Sequence, residues 1–474
     1  MKREVCWDMN IVECSNNISL NMHKPVKKNI AMVCDAPWEG ISNGYPGTVK
    51  VGNKYRLYYR AANSTGPVAI CMAESDDGIT FTRPDLGIFE YNGSKHNNIV
   101  HMEDRFIDNF SVIIDTNPDC PEDEKFKAVS LLITEPEHKT NLALYKSPDG
   151  LHFEMDHILD VKGVFDTYNV LFWDEKNKFY RLYLRDFHNK DGSDAVYIMD
   201  EAYMADKMRD VRLSTSTDLI NWTYPKRIQF QEDAEDIQLY TNQITKYHRA
   251  DMFIGFPVRY ANRMDDAAMS NFDALPQWNG LRRERINEGN RGGTAATDAV
   301  LMTSRDGISF ERCDEVFLTA GLETEYNWIY GDNYLSYGIM ETPVEGNPGK
   351  TELSFVTGID HRADKMKFIR YSVRLDGFFS WHGNFKGGAV LTKPISIDGE
   401  TLSINFASSA IGGIRVQICD TNGDTIEGFD SGILYGDSLD RKVIFEKSLS
   451  ELKGRKAKFR FTLKDCDLYS FVVE

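Results

Sequence analysis

One short turn sequence recurs along the chain and constrains its fold more than any other feature. Four copies begin with serine, carry aspartate at the third position and end in an aromatic residue: Ser75 to Phe81, Ser147 to Phe153, Ser216 to Trp222 and Ser304 to Phe310. A weaker fifth copy runs from Leu375 to Trp381. The aspartates at 77, 149, 218, 306 and 376 are separated by 72, 69, 88 and 70 residues. This near-constant spacing predicts one structural unit repeated five times.

The residue types in the turn predict a β-hairpin. Serine and aspartate side chains accept backbone N–H bonds, glycine allows positive φ, and the aromatic residue returns to the core. An aromatic or apolar strand precedes each copy, at residues 55–60, 126–129, 179–185, 253–256 and 353–356. Units of about 70 residues with several short strands are typical of propeller blades. We therefore predict an all-β chain whose residues 1–383 form a five-bladed β-propeller.

Two regions depart from the repeat. The interval of 88 residues predicts an insertion in the fourth unit, at residues 261–298, which we expect to form a rim loop. From residue 384 the repeat gives way to alternating apolar and polar residues, as in 401–406 and 414–418. We predict a β-sandwich accessory domain over residues 384–474, serving either as a buttress or as a carbohydrate-binding module. A sandwich throughout, with turns recurring by chance, does not explain the spacing.

Charge and composition exclude several classes of partner. The 474 residues include 72 acidic and 55 basic side chains, for a net charge of -17, which repels nucleic acid and anionic lipid. The chain has no apolar run of signal-peptide or membrane-spanning length, so we expect a soluble, cytoplasmic protein. The eight cysteines show no metal-ligand spacing, and we expect reduced thiols, no metal and no cofactor. The oligomeric state stays open.

Four further segments carry a resemblance to known proteins: Pro37 to Glu39, Asn92 to Ile99, Phe165 to Asn169 and Leu239 to Asn242. With the five repeats and the C-terminal sandwich, the chain resembles the glycoside hydrolase families 32, 43 and 68, and in particular family-32-like bacterial proteins of unassigned substrate. The resemblance implies an enzyme that cleaves a glycosidic bond of an oligosaccharide or glycoside, with a furanoside such as a fructoside or an arabinoside as the expected substrate. The first blade departs from these families, because Tyr45 replaces the aspartate that family 43 carries immediately before the inner strand, and the nucleophile or base is not transferred by simple matching.

Acidic residues precede the inner strand of every predicted blade, where a propeller gathers side chains at one mouth. They are Asp35 and Glu39, Asp104 and Asp108, Asp166, then Asp233, Glu235 and Asp236, and finally Glu323, Glu325 and Asp332. Glycoside hydrolysis needs one carboxylic acid and one carboxylate. We predict Glu39 as nucleophile or base, Asp166 as stabiliser of the positive sugar ring, and Glu235 or Asp236 as general acid. Whether the reaction retains or inverts configuration stays open.

Other polar and aromatic residues near the same segments are predicted to bind substrate. They are Trp38, Asp108, Asn109, Asn169, Arg185, Tyr240, Asn242, His248, Arg259 and Glu341. Arg60, Arg185 and Arg259 each close the second strand of a blade, where they hold a catalytic carboxylate, bind an acid group of the substrate or form interblade ion pairs. Two other functions stay open: a five-bladed glycoside phosphorylase, and a non-catalytic carbohydrate-binding propeller.

Overall fold

The computed structural model describes residues 3–62, 67–103, 106–134, 139–198, 204, 206–263, 275, 280, 282–284, 293–363 and 365–474. The chain divides into two compact units. One unit comprises residues 25–245 and 253–372, and the other comprises 1–24, 246–252 and 373–474. The N-terminal strands are β1 (Glu4–Val5), β2 (Val12–Asn16), β3 (Ile18–Met22) and β4 (Val26–Val33).

Three blades of the larger unit are four-stranded antiparallel sheets formed by consecutive strands. Blade one contains β5 (Gly44–Val51), β6 (Lys54–Ala61), β7 (Ala69–Ser75) and β8 (Ile99–Met102). Blade two contains β9 (Ile107–Ile114), β10 (Phe126–Thr134), β11 (Lys139–Ser147) and β12 (Glu154–Ile158), with a 3₁₀ turn at Glu122–Glu124. Blade three contains β13 (Val170–Asp174), β14 (Phe179–His188), β15 (Met208–Ser216) and β16 (Lys226–Arg227).

The fourth blade is less regular. Its main sheet contains β17 (Gln229–Phe230), β18 (Thr245–Lys246), β19 (Phe253–Gly255), β22 (Met302–Ser304) and β23 (Ser309–Arg312). Strands β20 (Val258–Asn262) and β21 (Ala295–Ala299) pair with each other. The predicted insertion at 261–298 therefore begins and ends in strands, while residues 264–274, 276–279, 281 and 285–292 lie outside the described residues.

The N-terminal segment completes the fifth blade. This sheet contains β24 (Met340–Pro343), β25 (Thr351–Ile359) and β26 (Lys367–Arg374), and its fourth strand is β4. Strand β26 pairs antiparallel with β4, from Lys367 opposite Val33 to Ser372 opposite Val26. The predicted five-bladed propeller is confirmed, and its last blade is built from both ends of the propeller segment.

The recurrent turns explain how neighbouring blades pack. In the second turn the Gly150 N–H donates to Ser147 Oγ over 2.9 Å, and Gly150 has a φ of 74°. The Tyr58 hydroxyl of blade one donates to the Gly150 carbonyl over 2.9 Å. The Tyr183 hydroxyl of blade three likewise donates to the Gly307 carbonyl over 2.6 Å. Glycine is required at both turns by the positive φ and by the close approach of the tyrosine.

The apolar core of the larger unit lies mainly between blades. One buried cluster joins Met72 of blade one to Val112 of blade two, and another joins Leu57 of blade one to Phe368 of blade five. A third cluster runs from blade two through blades three and four. Burying the apolar residues of these clusters between neighbouring blades favours closure of the ring.

The smaller unit is also all β. Its other strands are β27 (Phe379–Gly383), β28 (Gly388–Thr392), β29 (Ile395–Ser396), β30 (Leu402–Cys419), β31 (Thr425–Leu434), β32 (Asp437–Val443) and β33 (Lys456–Val473), with a 3₁₀ turn at Leu449–Leu452. Hydrogen bonds join these and β1, β2 and β3 into one ten-stranded sheet around a single apolar core. Three N-terminal strands therefore belong to this sheet, which the sequence did not predict. The predicted boundary after residue 383, with residues 384–474 as a separate domain, stays a prediction.

The fifth copy of the turn has a different role from the first four. Asp376 is fully buried in the smaller unit. Its carboxylate accepts hydrogen bonds from the Tyr247 hydroxyl at 2.6 Å, Arg249 Nε at 2.8 Å and Ser470 Oγ at 2.7 Å. These partners make Asp376 a structural anchor of that unit, because a buried carboxylate needs several donors to offset its desolvation.

Candidate active site

Tyrosines from three blades meet on the axis of the propeller. Tyr45 lies at the start of β5, Tyr240 lies ahead of β18, and Tyr330 and Tyr334 lie ahead of β24. The ring of Tyr334 is 5.6 Å from that of Tyr45 and 5.9 Å from that of Tyr240. The Tyr330 hydroxyl donates to the Tyr240 hydroxyl over 2.5 Å. The segments ahead of these inner strands therefore form one aromatic surface.

A buried carboxylate from blade two lies beside this surface. Asp108, on β9, is 5% exposed, and Arg60 Nη1 donates to both its oxygens, at 3.0 and 2.8 Å. The Asn109 backbone N–H donates to Asp108 Oδ1 over 2.8 Å. The Arg60 guanidinium lies 5.1 Å from the centre of the Tyr45 ring. Burial raises the pKa of Asp108; Arg60 opposes this shift, and the charge of Asp166 adds to it.

Asp166 supplies a second carboxylate from the approach to blade three. Its side chain is 48% exposed, although the neighbouring Phe165 and Thr167 are buried. Its Oδ2 atom lies 3.6 Å from Arg185 Nη2. The Asp166 charge acts on both Asp108 and Tyr45, and raises the pKa of each. Asp108 and Asp166 are thus a carboxyl pair in unequal environments, one buried and one open to solvent.

Tyr45 occupies the position at which the resemblance implies an aspartate. Its φ is 49°, its side chain is buried, and its ring stacks on Tyr168 at 6.5 Å. Burial raises the pKa of Tyr45 well above its ordinary value, and Tyr240, Tyr330 and Asp166 act in the same direction. The side chain therefore stays a neutral phenol, which donates a hydrogen bond but is a poor nucleophile.

Arg185, on β14, lies under the aromatic surface. It is 4% exposed, and its guanidinium is 5.1 Å from the Tyr240 ring and 5.4 Å from the Phe187 ring. Its Nε atom has no hydrogen-bond partner. Burial opposes its charge, but the Asp166 carboxylate, the charges of Tyr240 and Tyr45 and a hydrogen bond with Tyr240 together outweigh burial and raise the pKa of Arg185. The guanidinium thus stays charged.

Glu39, predicted as nucleophile or base, is completely buried and fully paired. Arg83 forms a bidentate pair with it, Nε to Oε1 at 2.8 Å and Nη2 to Oε2 at 2.7 Å. The Tyr59 hydroxyl donates to Oε1 over 2.6 Å, and the Ala36 N–H donates to Oε2 over 2.8 Å. A carboxylate with all these donors and no exposed surface favours a structural role over direct attack on a substrate.

Glu235 and Asp236, the predicted general acids, lie on an exposed segment of blade four. Asp236 Oδ2 is 2.7 Å from His188 Nε2, and His188 Nδ1 is 3.0 Å from Asp210 Oδ2. Burial opposes the charge on His188, but the hydrogen bonds to Asp210 and Asp236 outweigh burial and raise its pKa. The backbone carbonyl of Glu235 accepts a bond from Arg312. No contact places either side chain against the Asp108 and Asp166 pair in the described part of the chain.

Most of the predicted substrate-binding side chains in blades one to four are buried. Asn109 is 0% exposed and neither atom of its amide group has a partner. Asn169 donates to the Phe165 and Thr167 carbonyls, which leaves its Oδ1 unpaired. Asn242 is buried on the axis and Trp38 is half-buried, with Nε1 donating to the Asn98 side chain over 2.8 Å. The Asn109 amide group is therefore buried without a hydrogen-bond partner, whereas Asn169 lacks one only at Oδ1.

The remaining predicted residues lie apart from this cluster or have other contacts. Arg259 forms a bidentate pair with Asp298 at 2.9 and 2.7 Å. Glu341 is half-buried and accepts a bond from Thr351 over 3.4 Å. His248 is exposed and belongs to the smaller unit, and Asp104 lies outside the described residues.

Sequence reasoning did not select several residues that the fold brings to the site. Tyr330 and Tyr334 join the aromatic surface, Arg83 neutralises Glu39, and His188 holds Asp236. Arg83 stands only two residues after the first turn, but nothing in its neighbourhood indicated its partner. The one signal in the sequence for the aromatic surface was the occurrence of tyrosines in three segments that precede inner strands.

The described residues contain neither a cluster suited to a metal ion nor a membrane-spanning helix. No group of three or more histidine, cysteine, aspartate or glutamate side chains has the geometry of a metal site there. Within the same residues, no helix has the length and apolar character needed to cross a membrane.

Comparison with known proteins finds likeness only at the level of solved structures. No protein-family model and no curated protein matches the chain. An N-acetylgalactosamine deacetylase from F. plautii, solved with blood group B trisaccharide, is 12% identical, with 93% of this chain and 95% of that chain covered and a TM-score of 0.45. A family 43 arabinoxylan arabinofuranohydrolase from Bacillus subtilis is 12% identical, covering 92% and 80%, with a TM-score of 0.33. The RS223 β-xylosidase is 9% identical, covering 75% and 97%, with a TM-score of 0.42. Likeness at this level carries no information on substrate or on reacting residues.

Proposed function

We propose that this protein is a glycoside hydrolase whose reacting groups are Asp108 and Asp166 at the mouth of the propeller. The observation that carries the proposal is the unequal pair: Asp108 is buried with a raised pKa, and Asp166 is half exposed. Two carboxyl groups whose environments differ in this way are suited to act as acid and base. Of the tyrosines beside them, Tyr330 is half-buried, and it is the one suited to contact with a sugar ring.

In this proposal Asp108 is the general acid. Its raised pKa keeps a proton on the carboxyl group at higher pH than an ordinary aspartate, and that proton passes to the leaving oxygen of the glycosidic bond. Asp166 is the exposed carboxylate that attacks the sugar carbon or takes a proton from water. The contact of Arg60 Nη1 with both carboxylate oxygens holds Asp108 in place. Arg60 is thus a positioning residue.

This assignment differs from the roles predicted from sequence. Asp166 keeps a reacting role, Asp108 moves from substrate binding to acid catalysis, and Glu39 becomes a structural support because all its oxygens are paired. A furanoside such as a fructoside or an arabinoside remains the expected substrate on the family resemblance alone.

The test is hydrolysis of a panel of aryl furanosides, aryl pyranosides and fructans by the wild type and by Asp108→Asn and Asp166→Asn. We expect each variant to lose about 10²- to 10⁴-fold in kcat/KM, the usual contribution of a general acid or base. The matched control is Asp119→Asn, an exposed aspartate in the loop between β9 and β10, which should keep wild-type activity. Sugar binding without turnover by the wild type would instead identify a non-catalytic carbohydrate-binding propeller.

A further inference from the structure

The three arginines predicted to close the second strands of blades one, three and four differ in how their donors are used. Arg60 donates to both oxygens of Asp108 and to the carbonyl and hydroxyl oxygens of Ser42. Arg259 donates to both oxygens of Asp298. Arg185 lacks a comparable partner, because its Nε is unpaired and the Asp166 oxygen at 3.6 Å lies beyond hydrogen-bond length. Arg185 alone among the three keeps donors for something else.

An unsatisfied buried cation is costly to a fold. A guanidinium removed from water loses hydration that only hydrogen-bonded anions replace well. Arg185 is 4% exposed, and the neighbouring carboxylate Asp166 is half exposed and directed to solvent as well as to Arg185. The rings of Tyr240 and Phe187 lie over the guanidinium, and its Nη2 atom lies towards the half-exposed Asp166. The arrangement is suited to a ligand that brings two oxygens and a negative charge.

We propose that the site takes an acidic sugar, and that Arg185 binds the carboxylate of a uronic-acid residue. A planar carboxylate matches the fork of a guanidinium, whereas a neutral hydroxyl supplies an acceptor but no charge. This inference rests on the proposed function, since it names the substrate class of the same site. The acidic group is inferred from Arg185 alone and applies to a furanose or a pyranose ring.

The first test measures binding by calorimetric titration with D-glucuronate and D-galacturonate, each paired with its neutral sugar, D-glucose and D-galactose, and with inorganic phosphate. We expect the wild type to bind one uronate and to bind its neutral partner at least about 10-fold more weakly. Arg185→Gln should lower uronate affinity by about 10- to 100-fold, the range for a charge-assisted hydrogen bond. Arg185→Lys keeps the charge but loses the planar fork, and should retain part of the affinity.

Arg227→Gln is the matched control, because Arg227 is exposed on the outer strand of blade three. It should bind uronate as the wild type does, and thermal melting of all three variants checks that they are folded. Equal binding of uronate and neutral sugar, or uronate affinity unchanged by Arg185→Gln, overturns the inference. The inference is also overturned if the wild type binds inorganic phosphate but no uronate, and if Arg185→Gln loses the phosphate binding. That result would assign Arg185 to a phosphate group.

The second test compares hydrolysis of 4-nitrophenyl uronides with that of the matched neutral glycosides and with an aryl arabinofuranoside. Preference for a uronide that is lost in Arg185→Gln supports both the inference and the proposed function. Efficient cleavage of a neutral glycoside, unaffected by Arg185→Gln, supports the hydrolase and rejects the acidic-sugar site. If the wild type binds uronate but hydrolyses no glycoside, the acidic-sugar site is supported and the proposed hydrolase function is rejected.

Discussion

Replacing Glu39 separates a structural role from a reacting one. The carboxylate is 0% exposed and accepts from Arg83, Tyr59 and the Ala36 N–H, with the Arg83 contacts at 2.7 and 2.8 Å. Removing one partner of a fully buried ion pair costs about 3–5 kcal/mol, and because Arg83 is 25% exposed and keeps Asp35 and the Val33 carbonyl as partners, we take the lower end, about 3 kcal/mol. We expect Glu39→Gln to lower the free energy of unfolding by about that amount, measured by urea denaturation with tryptophan fluorescence.

The control is Asp35→Asn, which removes a second carboxylate from the same arginine. Asp35 lies 3.1 Å from Arg83 Nη2, but its side chain is 46% exposed. Solvent screens such a pair, so we expect a loss of less than about 1 kcal/mol. The reasoning is refuted if Glu39→Gln unfolds at the same urea concentration as the wild type. If that stable variant had also lost turnover of a substrate, Glu39 would be a reacting group, as the sequence predicted.

Two further variants test burial and backbone conformation. Burial raises the pKa of Asp332, so this carboxyl group stabilises the fold below its ordinary pKa and loses that contribution as pH rises through its folded pKa. Asp332→Asn should therefore melt higher relative to the wild type at pH 8 than at pH 5; a difference independent of pH would contradict this. Gly307→Ala should cost more than the 1–2 kcal/mol or so of a left-handed φ, because its Cβ would lie 2.7 Å from the Tyr183 hydroxyl. Gly52 has a φ of 59° and open space around it, so urea denaturation of Gly52→Ala measures the cost of the left-handed φ alone. Equal losses of unfolding free energy for Gly52→Ala and Gly307→Ala would show that the contact with Tyr183 is unimportant.

Local chemistry explains why the propeller was predictable. The serine of each regular turn accepts the N–H three residues later, as in Ser304 to Gly307 at 2.8 Å, whatever the rest of the chain does. Even Leu219, where glycine is missing, adopts a φ of 66° in the same turn. Because short-range hydrogen bonds of this kind depend on neighbouring residues alone, their spacing in sequence reported the blades directly.

Pairing between distant segments was not predictable in the same way. The register of β4 on β26 joins Val33 to Lys367, and β3 on β27 joins Met22 to Phe379. Both strands have ordinary strand composition, and neither carries a residue that specifies its partner. Strand register depends on which sheet edge remains uncovered once the other blades have formed.

The site shows the same division. From the sequence alone follow the acidic and aromatic residues ahead of each inner strand and the expectation that a propeller gathers them. The tertiary structure alone decided that Glu39 is enclosed by Arg83, that the charge of Asp166 raises the pKa of Asp108, and that Arg185 Nε stays unpaired. The physical reason is that the charge state and availability of a carboxyl or guanidinium group depend on desolvation and on partners contributed by other blades, and neither is encoded in the residues beside it.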